Sequence, residues 1–285
     1  MMPLTLITAL ALLVAEGEST PDTFERRLHE VNLSQAKLWS MYLDENRKTT
    51  AQLVEKPVYY WTNPTKGGGQ YGSMFVWVHE GRPLVVASIF AHPTEGKRRL
   101  VHELHSLVPK VFYPHCDDED PETWQPKAGL KLTEFAGVDP PAATPARRLL
   151  QMRTLGREFG GHTVDWRKQR WELRLLPRPL FRYEKPKGDV IDGALFALVT
   201  DAGTDPEILL LLEATEDSWR YALLRFTDSN FYVRHGEKQV FSAERGTPEW
   251  AQRNNPDHTY RTFNKRFLTE AEIGDAENID TAQER

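Results

Sequence analysis

Residues 57–64 read PVYYWTNP, and residues 179–186 read PLFRYEKP. Each stretch frames an aromatic run between two prolines set the same distance apart. The likeness continues downstream. GSMFVWV (72–78) answers to GALFALV (193–199), RPLVVASIF (82–90) to DPEILLLLE (205–213), and RRLVHELHSL (98–107), more loosely, to SWRYALLRFT (218–227). Apolar, β-branched and aromatic runs broken by Gly, Pro and acidic turns read as strands. A helix-forming stretch precedes each set. In residues 22–50, Leu38, Met41 and Tyr42 fall at helical spacing. In the second, Thr144 can cap, Pro145 suits the first turn, and Leu149, Met152, Leu155 and Phe159 line one face. The pattern predicts an α+β fold: two similar units of one helix plus four antiparallel strands, an internal duplication, either side by side or fused around one core.

The same reading divides the chain. Residues 1–20 form a signal peptide or N-terminal anchor, 21–113 the first unit, 114–144 an acidic, proline-rich linker, 145–245 the second unit, and 246–285 a polar tail expected to fray. The runs 194–199 and 208–212 are apolar at every position, which predicts strands buried on both faces. Alternation at Trp171, Leu173 and Leu175 predicts a half-buried strand, and 231–235 and 240–243 are further strand candidates.

With 285 residues, 40% hydrophobic and 27% charged, the chain can bury a large core. A formal charge of −5 gives no global attraction to nucleic acid or an anionic membrane. The apolar run 3–15 has the length of a signal-peptide core and is too short to span a bilayer; the alternative is a buried first helix or strand. No later run is long enough to cross. Cys116 is the single cysteine, so the fold rests on its core and not on an internal disulfide.

Candidate chemistry gathers at a few places. The segment WTNPTKGGGQYG (61–72) sets Lys66 before three glycines, but a Walker-type phosphate loop needs the lysine after them and a helix behind it. A turn is the better reading, since EKPKGD (184–189) links the matching strands of the second half. His102-Glu103-Leu104-His105 falls one residue short of the zinc-protease spacing. On a strand, Glu103 and His105 share a face while His102 takes the other. A metal site built on Glu103 and His105, with His92 or His115 as a third ligand, is one reading; hydrogen-bonded strand residues are the other. Cys116 beside His115 lacks the spacing of a nucleophile and its base.

Between residues 145 and 187, twelve basic residues face four acidic ones. Arg147, Arg153, Arg157, Arg167 and Arg170 are candidates for holding a polyanion, against the plainer reading of a solvated surface. Tyr59, Tyr60, Trp61 and Trp77 are weighed as a sugar-binding groove against core packing.

The blocks 146–159 (ARRLLQMRTLGREF), 171–184 (WELRLLPRPLFRYE), 191–200 (IDGALFALVT), 204–214 (TDPEILLLLEA) and 219–228 (WRYALLRFTD) resemble an uncharacterised family of bacterial exported proteins, over most of residues 50–245. The family has no assigned activity, so the resemblance implies export and carries over no catalytic residue. The expectation is an exported, periplasmic or extracellular, non-enzymatic binding or structural module of the cell envelope. Its partner would be an envelope polymer or protein, with no cofactor and no nucleic acid. The alternative is a metal-assisted hydrolase using Glu103, His105 and a divalent ion.

Overall fold

The computed structural model describes residues 23–65, 69–108, 110–118, 124–127 and 129–273. The apolar run 3–15 and Lys66 lie outside them. The described chain is mostly strand. Seventeen strands build two large curled antiparallel sheets, one of eight strands and one of nine, with four helices beside them. No described helix is long and apolar enough to cross a membrane.

The first half runs α1 (Thr23–Lys37), β1 (Trp39–Tyr42), β2 (Thr50–Leu53), β3 (Tyr59–Asn63), β4 (Gln70–His79), β5 (Arg82–Thr94), β6 (Lys97–Ser106) and β7 (Tyr113–Cys116). After the two-residue β8 (Thr133–Glu134), the second half runs α2 (Pro145–Arg157), β9 (Phe159–Val164), β10 (Arg170–Leu175), β11 (Phe181–Glu184), β12 (Asp192–Val199), β13 (Pro206–Ala214), β14 (Trp219–Arg225) and β15 (Asn230–His235). Then come β16 (Lys238–Ala243), α3 (Pro248–Ala251), β17 (Tyr260–Phe267) and α4 (Glu270–Ile273).

This corrects the expected α+β fold of two helix-plus-four-strand units. The missing strands are short or polar, where periodicity is faint. Leu38, Met41 and Tyr42 do not continue a helix: α1 ends at Lys37, and Trp39 and Met41 turn inward on β1 with strand alternation. In the polar tail, β17 buries Tyr260 and Phe263 and pairs with β6, while Leu268 and Ile273 pack against α1's Leu28. Within the segment read as a linker, Trp124 enters the first core and β8 pairs with β14.

The two sheets share a connectivity. The first is ordered β6-β5-β4-β2-β1-β7 with β3 also on β4; the second is ordered β14-β13-β12-β10-β9-β15 with β11 also on β12. β17 extends the first at β6, and β8 and β16 extend the second at its two ends. Registers agree as well. Trp61 lies opposite Gly72 and Tyr183 opposite Gly193. Each ring lies over its glycine so closely that a Cβ at Gly72 would come within 2.1 Å of Trp61, and one at Gly193 within 2.2 Å of Tyr183. Only glycine admits that approach. A bulge interrupts β4 between Trp77 and Val78 beside Pro83, and β12 between Leu198 and Val199 beside Pro206.

Three main cores follow from strand alternation. Met74, Val76 and Val86 of the first sheet meet Leu195, Ala197, Leu209 and Leu211 of the second in a shared core. The opposite faces fill the two curls: Phe75, Trp77, Val85 and Leu104 with α1's Ala36, and Phe196, Leu198, Ile208 and Leu210 with α2's Met152 and Leu155. The central strands are therefore buried on both faces, which is why their sequences are continuously apolar. Curling brings Trp39 of β1 to 5.2 Å from Phe263 of β17, and Phe159 of β9 to 5.0 Å from Tyr221 of β14, ring to ring.

Pairing also corrects the alignment of the last repeated strand by one residue. Glu103 faces Ser88 and His105 faces Val86 across β5; Ala222 faces Leu211 and Leu224 faces Leu209 across β13. Glu103 therefore corresponds to Ala222, where the sequence blocks matched His102 to it. A one-residue slip exchanges the faces of every side chain.

Candidate functional site

Glu103 and His105 share one face of β6, and His102 takes the other, as alternation requires. His102 is sealed in the first core, where the Trp39 indole N–H donates to its Nδ1 at 3.1 Å. Burial holds its pKa at about 3. His105 is also held at about 3 by burial, and its Nδ1 donates to the Ser106 carbonyl at 2.9 Å. That bond fixes a neutral ring whose Nε2 carries the lone pair. Glu103 accepts from the Tyr260 hydroxyl at 2.9 Å, and burial beside that carboxylate raises the Tyr260 pKa well above its ordinary value.

The expected third ligands lie elsewhere. His92 pairs with Arg99, four residues along β5 from the Ser88 that faces Glu103; at strand rise this is roughly 13 Å away. It contacts Gln70 instead. His115, on β7, is 3.0 Å from Asp117. Among the described residues, no three His, Cys, Asp or Glu side chains are placed to hold a metal ion. Cys116 is buried in the first core, which pushes its thiol up to about 11 and away from nucleophilic use.

The aromatic candidates are mainly core. Trp77 packs in the first curl and Trp61 in the shared core, with Tyr60 left exposed. The basic run is partly consumed inside. Arg148 and Arg182 both bind the fully buried Asp192 at 2.8–2.9 Å, whereas Lys187 binds Glu80 at the surface. Arg147, Arg157 and Arg167 remain exposed, Arg153 is half-buried, and Arg170 is exposed but held by Glu172.

What the sequence did not reveal is a cavity of about 780 Å³ between the ends of β6 and β17 and the β14–β16 region. It exists because β8 pairs only with Arg220 and Tyr221, so the strip beyond Tyr221 has no strand beside it. Leu130, Tyr221, Phe231, Phe241 and Tyr260 supply apolar walls, and Gln239, Ser242 and Gln252 supply neutral polar groups.

The cavity's charged residue of consequence is Arg225, only 5% exposed. Its Nε donates to the Thr227 carbonyl at 2.7 Å and its Nη1 to the Trp250 carbonyl at 2.9 Å. Its Nη2 has no hydrogen-bond partner among the described residues. The rings of Phe231, Trp250 and Tyr260 surround the guanidinium at 5.5–5.6 Å, and burial lowers its pKa from the ordinary value. Arg253 stacks on Trp250 at 4.0 Å, with its Nη1 paired to Asp228 and its Nε unpartnered. His258 accepts the Tyr260 amide proton at Nδ1, so its Nε2 carries the hydrogen. Taking a charge out of water costs several kcal/mol unless partners replace the lost hydration. Arg225 has part of that replacement from two carbonyls and three rings, and one donor remains over.

Two signals lay in the sequence: a basic residue inside the otherwise apolar run ALLRF (222–226), and the polar pair Glu103 and His105 where the corresponding strand has Ala222 and Leu224. The second became visible only with the corrected register. Compared with protein-family models, with curated proteins and with solved structures, the chain matches none.

Proposed function

We propose that the chain is an exported, non-enzymatic binding module of the bacterial cell envelope, and that the cavity beside Arg225 holds its ligand. One observation carries the cavity reading: a buried guanidinium that lines an open space with a donor left unfilled. A cleft of this size with apolar walls and few polar groups is the usual form of a small-ligand site. The export half rests on the apolar run 3–15 and on the family resemblance.

The test joins both halves. Full-length protein carrying a C-terminal tag is expressed in a bacterium and fractionated, and the purified chain is sedimented with isolated cell-wall sacculi. The expected result is recovery from the envelope fraction and co-sedimentation that falls at least tenfold in Ser242→Trp, which fills the cavity. Recovery only from cytosol overturns the export reading, and unchanged sedimentation of folded Ser242→Trp overturns the cavity reading.

A further inference from the structure

Resting on that cavity reading, we infer that the ligand is a small acidic sugar: a hydroxylated ring carrying a carboxylate or a phosphate. Three features of the lining set this chemistry. Arg225 and Arg253 line one cavity with Lys131 and Glu249, and each holds a buried guanidinium nitrogen, Nη2 and Nε respectively, that has no hydrogen-bond partner among the described residues, while Asp228 pairs with Arg253. A guanidinium with open N–H groups selects an oxyanion, carboxylate and phosphate alike.

Neutral groups account for the hydroxyls. His105 offers a lone pair at Nε2, held in that tautomer by the Ser106 carbonyl, and His258 offers a hydrogen at its own Nε2. Gln239, Gln252 and Ser242 can each donate and accept. A bare oxyanion would leave the His105 lone pair and the amides idle, whereas a polyol with an acid group meets both sets. Tyr221 and Phe241, both partly exposed, give rings against which the C–H side of a sugar packs. The volume, about 780 Å³, accommodates one or two sugar rings.

Isothermal titration calorimetry on the full chain with glucuronate, glucose 6-phosphate, glucose and inorganic phosphate tests this. At least one of the two acidic sugars is expected to bind tenfold or more tightly than both glucose and inorganic phosphate; whichever leads identifies the acid group. Arg225→Gln should weaken that binding at least tenfold. Should that variant not fold, judged by circular dichroism, Arg253→Gln carries the test with the same expectation. Binding of glucose as tight as that of the acidic sugars, an unchanged affinity in the folded variant, or no binding of either acidic sugar overturns the inference. Binding of glucose that Ser242→Trp abolishes would leave the cavity reading standing while removing the acidic class.

Discussion

Strands β6 and β14 hold the same place in the two sheets yet carry opposite chemistry on the face that meets the shared core. On β14 that face is Ala222 and Leu224, ordinary packing. On β6 it is Glu103 and His105, both buried. Buried polar groups require partners that apolar ones do not. Glu103 has the Tyr260 hydroxyl and His105 the Ser106 carbonyl, with the His105 ring also lying beside Phe226 and Tyr260. The difference teaches where to look. Both strands border the cavity, β6 through His105 and β14 through Tyr221, Ala222, Leu223 and Arg225, yet they place their polar groups on opposite faces.

The largest test of the comparison is acid. Burial holds His102 and His105 at about 3, against 6.5 when unfolded. Below pH 6.5 the unfolded chain takes up protons that the folded chain refuses. Stability from these residues is therefore full above 6.5 and falls as pH drops toward 3. At about 1.4 kcal/mol per pH unit for each imidazole, the two together remove roughly 5 kcal/mol between pH 6.5 and 4.5. His105→Leu copies the residue of β14 and should remove its share, lowering the slope by about 1.4 kcal/mol per pH unit, as urea denaturation across this pH range would measure. An unchanged slope would mean that His105 is not held neutral by its surroundings, and the contrast between the strands would lose its basis.

A smaller effect tests what the halves share. Gly72 lies under Trp61 and Gly193 under Tyr183, and an added Cβ would overlap each ring. Gly72→Ala and Gly193→Ala should each cost about 3 kcal/mol, the upper end of overpacking in a dense core, read as a fall in chemical-denaturation midpoint. Similar losses would confirm equivalent geometry. If one variant is neutral, the ring over that glycine has room to move and the two meanders are less alike than their registers.

That shared geometry was legible because long, apolar, two-sided strands write themselves plainly. β4, β5, β12 and β13 run without a polar break for most of their length, with Pro83 and Pro206 at the bulges and Gly72 and Gly193 at the ring contacts. The short flanking strands were not legible. β1 and β2 have four residues each, too few to establish a period, and Met41 and Tyr42 happen to suit helical spacing. β17 hides in a polar tail because only Tyr260, Phe263 and Lys265 turn inward. The pairing of Glu103 with His105 followed from alternation, and this part of the candidate site was readable. Its surroundings were not: Arg225, Arg253, His258 and Tyr260 come from distant segments, and their meeting depends on the very strands the sequence concealed.

The smallest effect asks whether the two ring-over-glycine motifs, alike in shape, differ in electrostatics. Trp61 donates to the Ser88 hydroxyl at 3.1 Å, a neutral bond, whereas Tyr183 donates at 2.5 Å to Glu213, which is fully buried and also held by Arg82 and Arg220. Burial, reinforced by Glu213, raises the Tyr183 pKa well above 10. The stability tied to its proton is therefore complete below pH 10 and is lost as pH climbs above it. Tyr183→Phe should cost about 2 kcal/mol at pH 7, as for a hydrogen bond to a charged group, and the gap to the native chain should narrow above pH 10. Ser88→Ala should cost about 1 kcal/mol, with no such narrowing. Parallel alkaline denaturation curves for Tyr183→Phe and the native chain would show that Tyr183 and Trp61 play the same neutral role, and that the charge of Glu213 is spent on the arginines alone.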